Sequence, residues 1–75
     1  MDKTRRERLR SVRREIERAK NALESIREEE DEVRGNIPEN LQYSDRYEES
    51  EKCSEAMEEA ESYLADAIKS IEEAL

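Results

Sequence analysis

Histidine, phenylalanine and tryptophan are absent from this 75-residue chain, and glycine, proline and cysteine occur once each. Without histidine there is no imidazole base and no imidazole metal ligand. One cysteine excludes an intrachain disulfide and any CxxC site, and suits a reducing compartment. No stretch has the pattern of a signal peptide or a membrane span, so the expected location is cytoplasmic, with no membrane partner. The only aromatics are three tyrosines, and the apolar fraction is 33%. A chain this short and this poor in large apolar groups does not fill a compact core. What it has instead is charge, 48% of all residues, set among Glu, Arg, Ala and Lys. That composition suits long, exposed helices.

Charge is unevenly placed. Residues 1–20 carry nine basic and four acidic groups, a net of +5, whereas residues 21–75 carry five basic and eighteen acidic groups, a net of −13. The overall −8 opposes nucleic-acid binding, while the basic start could attract phosphate.

The spacing predicts one domain over 1–75: helix 1 over about 4–34, a connector over 35–44 and helix 2 over about 45–75. Apolar residues at Leu9, Val12, Ile16, Ala19, Leu23, Ile26 and Val33 alternate steps of three and four, with Glu30 in the slot before Val33. Cys53, Met57, Ala60, Leu64, Ala67, Ile71 and Ala74 repeat the pattern. Paired antiparallel, Leu9 faces Ala74, Ile16 faces Ala67, Leu23 faces Ala60 and Ile26 faces Met57, mostly large against small. Glu30 opposite Cys53 is the awkward layer. Arg34 is placed beside Tyr47 and Lys20 beside Glu61. Gly35 is expected as a left-handed C-cap, and Pro38 stops the helix. Ser44 or Asp45 is the expected N-cap of helix 2. The fold class is therefore all-α, an antiparallel two-helix coiled-coil hairpin. Helix 2 has a face too broad for one neighbour, comprising Ala56, Ala60, Tyr63, Leu64, Ala67, Ile68, Ile71 and Leu75. This predicts a homodimer, a four-helix bundle built from two hairpins.

The connector is longer than a minimal helix–helix link. Ile37, Leu41 and Tyr43 are expected to plug the bundle end, with Asn40 and Gln42 serving turn amides. As a recognition loop it would instead display Asn40, Gln42, Arg46 and Tyr47 to a partner protein. Pro38-Glu39-Asn40-Leu41-Gln42, then Ser44, then Arg46-Tyr47-Glu48, resembles the turn of a family of small acidic helical-hairpin proteins from Gram-positive gut bacteria and their phages. Ile71-Glu72-Glu73-Ala74 is similar to the repeat that ends helix 2 in that family. The resemblance covers the turn and helix 2, while helix 1 matches in character only. It implies a helical hairpin in a phage-linked setting and no assigned activity.

Arg6, Arg13, Lys20, Arg27 and Arg34 recur every seven residues beside the seam. Their long stems suit packing and ion pairing. Alternatively, Arg6, Arg13, Lys20 and Arg27 form an anion site for a small ligand or a nucleic acid. The run Glu28–Glu32 lacks the Asp/Asn/Gly pattern of a calcium loop. Carboxylates without a pocket do not make an enzyme, and no cofactor is expected. The functional expectation is a non-enzymatic, oligomeric protein-interaction module, a phage or mobile-element factor that binds and inhibits a host defence protein.

Overall fold

The computed structural model describes residues 1–75. Helix α1 runs over Lys3–Gly35, a 3-10 turn over Glu39–Leu41, and helix α2 over Asp45–Ala74. The helices pack antiparallel along one another in a rod of 60 × 15 × 12 Å. No helix is long and apolar enough to cross a membrane.

Local chemistry fixes the ends. Asp2 caps α1, its carboxylate accepting from the Arg5 amide at 2.8 Å. Ser44 caps α2, its hydroxyl accepting from the Tyr47 amide at 3.2 Å, and Asp45 and Glu48 place negative charge in the first turn. The end of α1 corrects one expectation. Gly35 is not left-handed: no residue has positive φ, and Gly35 forms the last helical position, with Asn36 as C-cap at φ −91°. Pro38, which has no amide hydrogen, enforces the stop instead. The connector amides of Leu41, Gln42 and Ser44 donate to the carbonyls of Pro38, Glu39 and Leu41. Asn40 and Gln42 side chains are therefore not needed to satisfy the turn.

The seam is turned relative to the expected one. Along α1 the half-buried residues are Leu9, Arg13, Ile16, Lys20, Leu23, Arg27, Glu30 and Arg34, with Glu24 and Asp31 flanking them. The steps still alternate between three and four, but every second apolar position has given way to the basic residue beside it. Along α2, Ser54 and Leu75 replace the exposed Cys53 and Ala74, while Ala60 and Ala67 stay half-buried and are joined by Glu61 and Ile68, beside the half-buried Ser50, Met57, Leu64 and Ile71. The physical reason is that an arginine stem covers the seam while its head finds partners that valine cannot. Arg34 donates to the Ser50 carbonyl and hydroxyl and to the Ser54 hydroxyl, and it also lies within electrostatic reach of Tyr47. It is Arg27, not Lys20, that meets Glu61. Glu30 faces Ser50 and accepts its hydroxyl at 2.8 Å, which removes the awkward layer with Cys53.

Candidate functional site

The two broad faces of the hairpin differ. In an antiparallel pair, equivalent heptad rows of the two helices fall on the same side, because a two-fold axis normal to the pair exchanges the helices. One face therefore carries the basic row of α1 and the Ser54–Glu61–Ile68–Leu75 row of α2. The opposite face carries the Val12–Ala19–Ile26–Val33 row and the Cys53–Ala60–Ala67–Ala74 row. A shallow groove lined by Val33, Ile37, Arg46, Ser50 and Cys53 joins the two helices on that side. Lys20, Asn21, Ala65 and Ile68 line a groove on the other.

At its connector end the basic face is a closed ionic network. Ser54 is the only buried residue of the chain, 5% exposed. Its hydroxyl accepts from Arg34 Nη1 at 2.7 Å and donates to Asp31 Oδ1 at 2.6 Å. Arg34 Nη2 also donates to Asp31 Oδ1 at 2.7 Å. Asp31 Oδ2 takes a further bond from Arg27 Nη1 at 3.1 Å. Arg27 in turn holds Glu61 through two nitrogens, at 2.6 and 3.3 Å. This fork-to-carboxylate geometry is the strong form of a charged hydrogen bond. The Ser54 hydroxyl and the Arg34 guanidinium hold the Asp31 carboxyl below the ordinary carboxylate range. Glu61 raises the Arg27 guanidinium, and Asp31 raises that of Arg34. No buried side-chain polar atom lacks a partner.

The opposite face is apolar and uncovered. No hydrophobic side chain of the chain is buried, and Val12, Ile26 and Val33 are 43%, 54% and 61% exposed. The expected oligomer surface divides between the faces. Ala56, Ala60, Tyr63 and Ala67 lie on or beside the open apolar face, above the half-buried Leu64 and Ile71, whereas Ile68 and Leu75 turn to the basic row. The Tyr63 phenol donates to Glu59 at 2.7 Å, which raises its proton affinity.

At the connector, Asn40 and Arg46 are exposed and Gln42 and Tyr47 are half-buried. None of these four side chains makes a hydrogen bond within the chain. Of these, Arg46 lines an open hollow together with Val33, Ile37, Pro38 and Leu41. Ile37 is half-buried against it, but Tyr43 does not plug the bundle end: it is 91% exposed. A lone aromatic among polar residues reads as a packing group, and the exposure of Tyr43 departs from that reading. The expected anion row is occupied unevenly. Arg27 is covered by Glu61, Asp31 and, at 3.9 Å, Glu58. Arg13 lies 3.8 Å from Glu72, Lys20 is half-buried, and Arg6 is exposed. The carboxylates of Glu28–Glu32 do not converge, and no group of three or more Cys, Asp or Glu side chains could hold a metal ion.

These features define a helical hairpin with one ionic, satisfied face and one apolar, open face. No known protein family, curated protein or solved structure matches the chain.

Proposed function

We propose that the chain is a non-enzymatic helical-hairpin interaction module that self-associates and binds another protein through its connector end. The observation that carries this reading is the uncovered apolar face. Exposed apolar patches of this kind on small folded chains mark association surfaces. The partner surface is the connector, where Tyr43, Asn40, Gln42, Arg46 and Tyr47 combine an exposed aromatic with polar groups free to pair outside the chain, the mixture that anchors protein interfaces. The outer acidic residues of α2, Glu51, Glu55, Glu58, Glu59, Asp66, Glu72 and Glu73, steer a basic partner toward it. The phage-linked setting, with a host defence protein as the target to be inhibited, rests on the resemblance of the Pro38–Gln42 turn. A small-anion or nucleic-acid binder built on Arg6, Arg13, Lys20 and Arg27 gains less support, because carboxylates of the chain itself already engage Arg13 and Arg27.

Sedimentation equilibrium tests the association: a dimer is expected, and a folded monomer at high micromolar concentration overturns it. Capture of partners from the native host tests the recognition surface. Arg46→Ala with Gln42→Ala should abolish capture with helicity intact. Loss of capture on reversing Glu55, Glu58 and Glu59 to Lys, with the connector variant still active, would move recognition to the acidic face.

A further inference from the structure

The geometry points to how a second copy of this chain covers the open face. Helix α1 of each copy lies along α2 of the other, and both connectors emerge at the same end of the bundle. This rests on the self-association proposed above and specifies its arrangement.

Area sets the scale. The chain exposes 5916 Å² at a mass of 8.9 kDa. A folded monomer of that mass exposes about 4,800 Å². The excess, roughly 1,100 Å² per chain, is of the size that each partner contributes to a stable complex, about 800 Å². A second hairpin laid on the open face removes surface of that order.

Shape and charge choose between the two simplest two-fold arrangements. With the axis along the bundle, α1 meets the partner copy's α2 and the connectors share an end. With the axis across it, α1 meets α1, α2 meets α2, and the connectors lie at opposite ends. On the open face α1 presents mostly large side chains, Val12, Ile26 and Val33 with Ala19 between them, and α2 presents a mostly small row, Cys53, Ala60, Ala67 and Ala74, with Tyr63 at its edge. Large rows interdigitate with small rows when α1 meets α2, whereas α2 on α2 sets alanine against alanine. Helix α1 carries eleven basic and nine acidic groups, a net of +2, and α2 carries three basic and eleven acidic groups, a net of −8. The basic row of α1 turns away from this face, but the crossed arrangement lays the two strongly acidic α2 helices directly on one another, whereas the same-end arrangement keeps them diagonal. In the same-end arrangement the two connectors stand next to each other and offer a partner one double-sized recognition surface.

The test measures the distance between connectors. The full chain, with Cys53→Ser and Tyr43→Cys, carries a nitroxide at position 43, and dipolar spectroscopy reads the separation. The expected value is about 20–30 Å, two interhelical spacings plus the label arms. A separation near the 60 Å length of the rod overturns the same-end arrangement and leaves the dimer standing. No dipolar signal together with a monomer mass overturns the self-association as well. Ile26→Glu, placed on the open face, should weaken dimerisation on the order of 100-fold with helicity retained. Undiminished dimerisation of that variant would exclude this face from the interface. The label measurement changes the face only by the near-isosteric Cys53→Ser and decides the arrangement even where Ile26→Glu loses helix.

Discussion

The connector-proximal and distal halves of the hairpin are joined in different ways. Near the connector, Arg27, Glu30, Asp31 and Arg34 engage Ser50, Ser54 and Glu61 through directed hydrogen bonds. In the distal half, half-buried Leu9, Ile16 and Leu23 run along Leu64, Ile68, Ile71 and Leu75. Aliphatic contacts are non-directional and tolerate small shifts. Hydrogen bonds to charged groups do not, because a displaced partner leaves a half-desolvated charge unpaired. One half therefore supplies adhesion and the other specifies alignment.

Leu64→Ala should give the largest loss, about 2 kcal/mol of unfolding free energy. That is the low end for a leucine truncation, because the site is half-buried. Urea unfolding measures it, and amide exchange should show the distal half opening first. An equal loss of protection near the connector would mean that the halves are not separable.

Ser54→Ala should cost about 1–2 kcal/mol and act on the other half. It also changes the acid limb of stability. The folded Asp31 carboxyl titrates below its ordinary value of 3.8. Its contribution is therefore present above that value and is lost as pH falls through it toward the lowered folded one. Removing the hydroxyl, the largest cause of that lowering, should flatten the dependence of thermal stability on pH below about 4. An unchanged acid limb in Ser54→Ala would show that Arg34 and Arg27 set the titration without the hydroxyl.

Gly35→Ala should give the smallest effect, and of opposite sign, a gain of about 0.5–1 kcal/mol. Gly35 is helical, and a methyl group there meets nothing within 4 Å. Destabilisation measured by thermal unfolding would show that the helix end needs glycine's freedom after all.

Most of the architecture was legible from residue spacing. Helix bounds came within one residue of those expected, and Ser44 was one of the two candidate caps. What spacing did not disclose is the turn of each helix about its axis. Val12, Ile26 and Val33 are the hydrophobic choice for a seam, and Arg13, Arg27 and Arg34 are one position away. A periodicity count weights the valine and ignores the arginine stem. Only the placement of Asp31 and Glu61, and the small Ser50 and Ser54 opposite, shows that the arginine row has somewhere to go. Asp31 was hidden in an acidic run, and Ser54 occupied a position next to the expected seam cysteine. The connector residues were legible by type, but exposure at Tyr43 depends on the conformation of the turn, which no pattern of apolar residues encodes.

Ser54 also bears on the order of events during folding. The basic row repeats every seven residues, so a slip of the helices by one heptad would lay arginine where arginine belongs and leave aliphatic contacts largely intact. Small hydroxyl residues that fit under Arg34 occur at Ser50 and Ser54, close to the turn. Closing the short connector is the least costly loop closure available to the chain. The ionic cluster is therefore the contact between helices that the least costly loop closure brings within reach. The contacts that discriminate against a misaligned register thus stand at the end where the chain closes on itself with the smallest loss of entropy.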